Sequence, residues 1–444
     1  MKTDITLKNI NKLAIPALIA GVAEPILSLT DTAIIGNVDY NAAESLAAVG
    51  IVGTFISMLI WVLGQTRSAI SSIVSQHLGA NKLDHVKNLP AQAIFIITSL
   101  SILIIIMTWP FASQIFKLYN ASSLILDYSV DYYRIRVFGF PFTLFTFAVF
   151  GTFRGLQNTF YPMVIAIIGT IVNIIFDFVL VYGVEGLINP MHIKGAAYAS
   201  VIAQVIMALC SAYFLLKKTD ISLRVSFPFN TEIKNFTLMI LNLFVRTLAL
   251  NVTLYFATRF ATSFGTEYIA AYTIAINLWF LGAFIIDGYA SAGNILSGKF
   301  FGAKNHKKLI ELSHFLIKCG IGVGILLAVL GLMAYNFVGS IFTQDALVLN
   351  EFYKVFWIVL AMQPLCALAF IFDGMFKGMG KMKFLRNLLL LSTGLVFIPV
   401  LFLLDHFDLK LYAVFIALTL WIIARGIPLI IKFRQLFLPR VQKT

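Results

Sequence analysis

Residues 91–112 read AQAIFIITSLSILIIIMTWPFA, without one Asp, Glu, Lys or Arg. A helix of about 20 apolar residues crosses the hydrocarbon core of a bilayer, since each residue advances it by about 1.5 Å. Lipid offers the backbone no hydrogen bonds, so such a run takes the form that satisfies its own, a helix. Outward from this stretch the same reading finds twelve runs in all. They lie at 13–36, 46–75, 91–112, 130–153, 160–183, 195–216, 235–258, 268–297, 313–337, 350–375, 384–404 and 409–431. The second and eighth are long enough to tilt or to extend beyond the lipid.

Composition agrees. Of 444 residues, 60% are hydrophobic and 12% charged, and mean hydropathy is +0.91. Soluble domains are nearer a quarter charged. No Pro/Gly linker or low-complexity run interrupts the chain. The segment Met1–Lys12 is polar and basic, and the apolar stretch after it exceeds a signal-peptide core, so the first span is expected to stay in the mature protein. Cys210, Cys319 and Cys366 sit far apart inside apolar runs, without metal or disulfide spacing.

The net charge of +13 is explained by where it falls. Lys and Arg accumulate on cytoplasmic connections of membrane proteins. Lys2, Lys8 and Lys12 precede the first span. Lys82 and Lys87, Arg154, then Lys217, Lys218, Arg224 and Lys234 occupy the next even-numbered connections. Lys299, Lys304, Lys307 and Lys308, then Lys377, Lys381, Lys383 and Arg386, continue the series, and Lys432, Arg434, Arg440 and Lys443 end it. The opposite connections hold only a few basic residues, and Glu44, Asp345, Glu351, Asp405 and Asp408 favour them. Both termini are therefore expected in the cytoplasm, in a multi-pass protein of the cytoplasmic (inner) membrane. The positive charge then serves topology and anionic headgroups rather than nucleic acid.

The chain also repeats itself. Glu44-Ser-Leu-Ala-Ala-Val-Gly-Ile51 resembles Glu267-Tyr-Ile-Ala-Ala-Tyr-Thr-Ile274, Gly79-Ala80 resembles Gly302-Ala303, and Phe153-Arg154-Gly155 resembles Phe376-Lys377-Gly378. All three pairs stand 223 positions apart. Each half carries six spans, an even number, so both halves enter the membrane in the same orientation. The expected fold is an all-α polytopic membrane protein: twelve transmembrane helices in two six-helix bundles related by a pseudo-twofold along the membrane normal. The lobes are expected at 1–218 and 235–444, joined by a cytoplasmic linker at 219–234. Proteins of this plan bind cargo between the lobes and rock one against the other.

Several segments together resemble the multidrug and toxic compound extrusion (MATE) family, in its DinF-like branch, over essentially the whole chain. They are Pro16, Glu24-Pro25 through Leu29-Thr30-Asp31-Thr32-Ala33-Ile34-Ile35-Gly36, and Tyr133-Arg134-Ile135-Arg136 with Pro141. Phe153-Arg154-Gly155-Leu156-Gln157, Asn173 with Asp177, Gly195-Ala196-Ala197, Asp287-Gly288 and Phe372-Asp373-Gly374 complete the set. Two positions depart from the branch: Asn158 stands where the loop usually has Asp, and Asn294 where Glu is frequent. The first concerns loop structure; the second removes an ionisable group from the C-terminal half.

Acidic side chains inside apolar spans are costly and mark functional candidates. Glu24, Asp31, Asp177, Asp287 and Asp373 qualify. Counted from the cytoplasmic ends of their spans, Asp31 lies about 27 Å deep and Asp177 about 24 Å deep. Asn173 shares a helix face with Asp177, four residues on. Ser200 comes to similar height, and Tyr133 slightly higher. Carboxylates with an amide and hydroxyls at one level can take a proton or a hard cation, with possible sodium ligands in Asp31, Asp177 and Asn173. The alternative is that these groups only satisfy broken helix backbone near Pro16 or Pro25. The resemblance implies that the cluster Asp31, Asp177, Asn173, Ser200 and Tyr133 is the cation-coupling site. Leu254 stands at the repeat position of Asp31, so coupling is expected to be asymmetric.

Arg67, in the second span, needs a partner. It pairs with Asp287 as a latch, or Asp287 pairs with Arg246 inside the C-terminal half, which is the preferred reading. Asp373 lies close enough in sequence to bind Lys377.

The six histidines lack ligand spacing and no phosphate-binding loop occurs, so enzyme activity is not expected. The expected function is proton- or sodium-coupled antiport exporting small organic compounds, often cationic. Flipping of lipid-linked precursors is the alternative. No cofactor is expected, the protein is expected to act as a monomer, and its surroundings are membrane lipids.

Overall fold

The computed structural model describes residues 4–36, 38, 41–119, 121 and 123–441, apart from the side chains of 23–25, 28, 29, 42, 43, 440 and 441. Glu24 thus lies outside the described side chains. Helices dominate. The first half contains α1 (Leu7–Ile35), α2 (Ala42–Leu63), α3 (Thr66–Gly79), α4 (Leu89–Thr108), α5 (Ala112–Lys117), α6 (Ser123–Arg136), α7 (Phe140–Gly155), α8 (Phe160–Val181) and α9 (His192–Lys218). The second contains α10 (Ile233–Ser263), α11 (Thr266–Gly302), α12 (His306–Met333), α13 (Ala346–Gly378), α14 (Met382–Leu391), α15 (Ile398–His406) and α16 (Leu411–Val441).

Eleven helical stretches among the described residues are long and apolar enough to cross a membrane, and α1, with 29 residues, supplies the twelfth. The expected long spans are the longest: Glu44–Gly79 has 36 residues and Thr266–Gly302 has 37. At about 1.5 Å per residue either exceeds a hydrocarbon core of about 30 Å. The second span bends at Gly64, between α2 and α3, whereas α11 runs unbroken. A side chain at Gly64 would meet the Phe147 ring, at 2.9 Å from its Cβ. Large apolar side chains such as Ile106, Met107, Leu395 and Met333 point outward, as lipid-facing residues should.

The helices form two compact units. One comprises 19–74 and 82–237; the other comprises 1–18, 75–81 and 238–444. These bounds differ from lobes at 1–218 and 235–444 joined by a cytoplasmic linker at 219–234, for two reasons. Residues 219–237 belong to the N-terminal unit because Gln92 Nε2 donates to Ser226 O at 2.6 Å and Gln92 Oε1 accepts from Asn230 N at 2.8 Å. The start of α1 belongs to the C-terminal unit, where Tyr289 Oη donates to Asn11 Oδ1 at 3.1 Å. Gly288 permits that approach: a Cβ there would meet Ala14 O at 3.0 Å.

The offset of 223 recurs in the packing. A Cβ on Gly151 would run into the Arg67 carbonyl, and one on Gly374 into the Ala290 carbonyl. Gly155 lies against Ser71 and Val74, and Gly378 against Asn294 and Ser297. Every member of these pairs is displaced by the same 223 positions from its counterpart. Within the C-terminal unit the ends of α3 and α11 cross. Gly79 abuts Lys299 while Gly302 abuts Gln76, the reciprocal pattern of a two-fold contact. The small residues of the sequence repeat are therefore the places where helix backbones touch.

The loop departure at Asn158 has a clear consequence. Its Oδ1 accepts from Phe160 N at 3.0 Å, satisfying one of the unpaired N–H groups that open α8. An amide oxygen serves there as a carboxylate would.

Candidate cation site

The site begins with the packing of α8 on α9. Gly195 lets the helices close, since a Cβ there would meet the Leu180 carbonyl at 2.5 Å, and Ala196, Ala197 and Ala199 follow, all fully buried. Ser200, one turn further, is thereby carried towards α1. Tyr182 Oη donates to Ile34 O at 3.1 Å and ties the end of α8 to α1.

Asp31 is the centre of the resulting cluster. Its Oδ2 accepts from Ser200 Oγ at 2.8 Å and from Tyr132 Oη at 3.2 Å; its Oδ1 accepts from Asn173 Nδ2 at 3.3 Å. Asn173 Nδ2 also stands 3.5 Å from Ser200 Oγ. Asp177, one turn along α8 from Asn173, is within reach of Asp31 for the two carboxyls to share a proton. All of these side chains are buried.

Among the described residues, both oxygens of Asp177 and Oδ1 of Asn173 have no hydrogen-bond donor. Buried acceptors are costly unless something positive reaches them. A proton between the carboxyls, or a small hard cation on these oxygens, would supply it.

The structure thus gathers Asp31, Asn173, Asp177 and Ser200, as the sequence suggests, and leaves Tyr133 out. Tyr133 Oη donates to Thr108 Oγ1 at 2.6 Å, and its ring packs edge-on to Phe55 and Phe116. The tyrosine at the site is Tyr132. One residue of displacement turns a helical side chain by about 100°, enough to exchange the site for the aromatic core. Arg136, not among the site residues expected from the sequence, is buried, bears electrostatically on Asp31 and Asp177 and lies within reach of the Tyr132 hydroxyl. Tyr132 and Arg136 are four apart on α6, the spacing that could have revealed them as one face.

The preferred pairing of Asp287 with Arg246 is not made. Arg246 Nη2 bonds Asp373 Oδ1 at 2.7 Å, and Lys377 Nζ takes Asp373 Oδ2 at 2.9 Å, while Asp287 is exposed. Asp373 projects from α13 directly towards Arg246. In the other unit, the Arg67 guanidinium lies 5.2 Å from the centre of the Phe147 ring.

Comparison with known proteins fits this picture. The MatE family model matches residues 16–179 and again 240–403, so one family pattern accounts for both halves. DNA damage-inducible protein F of Escherichia coli is 25% identical over 437 residues, covering 95% of this chain and 91% of that protein. Protein DETOXIFICATION 42 of Arabidopsis thaliana is 25% identical over 82% of this chain and 80% of its own length. The fold is shared with a crystal structure of MATE in the bent conformation, at a TM-score of 0.91 and 22% identity, covering 98% of this chain and 97% of that one. It is also shared with a MOP superfamily transporter from Pyrococcus furiosus, at a TM-score of 0.87 and 21% identity over 97% and 95%.

Proposed function

From the membership of this chain in the MatE family, we propose that it is a cation-coupled antiporter of the cytoplasmic membrane, exporting organic compounds in exchange for protons or sodium. A probable multidrug resistance protein, NorM of Photorhabdus laumondii, is among the relatives, at 26% identity over 76% of this chain and 74% of that protein. The observation that carries the reading is the set of donor-less oxygens on Asp177 and Asn173 beside the hydrogen-bonded Asp31. Loading by a cation neutralises a buried carboxyl pair and favours one conformational state. Cargo favours the other, and coupling is the difference between the two preferences. The Lys and Arg distribution supports a cytoplasmic location for both termini.

The decisive experiment reconstitutes the protein in vesicles and follows efflux of a fluorescent organic cation under a pH gradient and, separately, a sodium gradient. Efflux driven by one gradient and lost in Asp31→Asn is expected. Gradient-driven efflux at full rate in Asp31→Asn would refute the assignment.

A further inference from the structure

The C-terminal unit holds a second charged cluster, of opposite sign. Arg246 on α10, Lys377 on α13 and Arg425 on α16 converge on one carboxylate, Asp373. Arg425 is 4% exposed, and its guanidinium lies 4.5 Å from the centre of the Trp421 ring and 5.8 Å from that of Phe370, a residue three before Asp373 on α13. Asp373 is the one carboxylate among the described residues that acts on Arg425. Three cations therefore share a single anion in an apolar environment, although buried charges normally persist only when paired.

Two features show that the cluster is incomplete. Asp373 gives one oxygen to Arg246 and the other to Lys377, and among the described residues it makes no ion pair with Arg425. Arg246, at 7% exposure, still has an Nε with no hydrogen-bond partner among the described residues. The Arg425 guanidinium stacks on Trp421, and its planar N–H edge has the shape that matches the two oxygens of a carboxylate or phosphate. The cluster is roofed rather than sealed, since the side chains of Arg246 and Asp373 retain 9% exposure and that of Lys377 retains 16%.

We propose that Arg246, Arg425 and Lys377, arranged around Asp373, form an anion site that binds the carboxylate or phosphate group of a soluble organic compound. The inference rests on the transport reading for one point only, that the bound compound is cargo. It then specifies the cargo as a molecule bearing an acidic group, recognised in the half that lacks a counterpart of Asp31.

Trp421 provides the reporter. Its fluorescence, isolated as the difference between the protein and Trp421→Phe, is titrated with benzoate, phenyl phosphate and, as a cationic control, benzyltrimethylammonium. Purified protein is used in zwitterionic nanodiscs and again in nanodiscs containing phosphatidylglycerol. Saturable quenching by benzoate or phenyl phosphate and not by the cation is expected, weakened about tenfold in Arg425→Gln by loss of one charge-assisted pair. Arg425 makes no ion pair with Asp373, so this variant keeps both bridges; Lys377→Gln, which leaves the Arg246 bridge, is the second test. Asp31→Asn is expected to bind the anions normally, so failure of cation coupling and failure of the anion site are told apart. The proposal is overturned if neither anion quenches, if the cation quenches equally, or if Arg425→Gln and Lys377→Gln both bind as the parent does. Quenching that arises only from phosphatidylglycerol would assign the cluster to a lipid headgroup and overturn it as well.

Discussion

Gly298 lies where a side chain would strike the Ser75 hydroxyl, and these two residues are equivalent positions of the repeat, 223 apart. Contact between equivalent residues, with reciprocal contacts on either side, is the pattern of a two-fold relation, and this one marks where α3 and α11 cross. The reciprocal contacts of Gly79 with Lys299 and of Gly302 with Gln76 flank it. All three glycines stand where another helix occupies the space of a side chain.

Gly302→Ala should therefore destabilise the protein. Its Cβ would collide with the backbone of Gln76, which cannot rotate away, and overpacking of this kind costs about 1–3 kcal/mol. Gly322→Ala is the control, since nothing lies within 4 Å of a Cβ there and Ala is the better helix former by about 1 kcal/mol. Thermal unfolding in detergent should place the first variant below the parent and the second at or above it. Equal midpoints for both would show that the crossing is looser than its geometry.

The exchange of Tyr132 for Tyr133 makes a sharper test of the cation site. Ser200→Ala removes a 2.8 Å bond to the Asp31 carboxylate, and Tyr132→Phe removes one of 3.2 Å. A hydrogen bond donated to a carboxylate contributes about 1.5–3 kcal/mol and holds it ionised, so coupling-ion affinity should change about tenfold or more in Ser200→Ala, rising where the ion is a proton, and less in Tyr132→Phe. Tyr133→Phe should leave that affinity unchanged, because its hydroxyl serves Thr108. The measurement is the ion concentration giving half-maximal efflux. A larger effect from Tyr133→Phe than from Tyr132→Phe would contradict the arrangement.

Which parts of this were legible in the sequence follows from the physics of each signal. Span positions depend on sums over about 20 residues, and single errors average out; α8, expected from 160, begins at Phe160. The repeat survives because Gly79, Gly155 and their counterparts are held by backbone contact, where nothing larger fits. The pairing of Asn173 with Asp177 is written in their spacing of four on one helix. Contacts between helices carry no such local signature. Tyr132 and Tyr133 are adjacent, aromatic and hydroxylated, and only the rotation of α6 decides which faces Asp31. Arg246, expected to pair with Asp287, meets Asp373 instead, because the rotation of α10, α11 and α13 decides which acid it faces.

Asn158→Ala should lower stability by about 1 kcal/mol, the usual contribution of a side chain that accepts from the opening N–H groups of a helix. Asn158→Asp should restore or slightly exceed the parent, because a carboxylate keeps the acceptor and adds favourable charge at the positive end of α8, worth about 0.3–1 kcal/mol. Comparing the two thermal midpoints tests whether the departure from the family pattern is a conservative exchange. If Asn158→Asp fell with Asn158→Ala, capping would not explain the position.

Asp287, the expected partner of Arg246, and Asp373, its partner in the structure, should differ in their effect on folding. Asp373→Asn leaves the buried Arg246 and Arg425, with the half-buried Lys377, without a counter-charge, and breaking a buried pair by removing one partner costs about 3–5 kcal/mol. Asp287→Asn alters an exposed group and should stay within about 0.5 kcal/mol of the parent. Folded yield and thermal midpoint in detergent measure both. The Asp373→Asn deficit should also shrink when benzoate or phenyl phosphate is present at saturating concentration. An added anion replaces the missing carboxylate, and a ligand that binds the folded state alone stabilises it. Rescue by the anions and not by benzyltrimethylammonium would tie the stability of α10, α13 and α16 to their shared charge; a deficit indifferent to all three ligands would separate them.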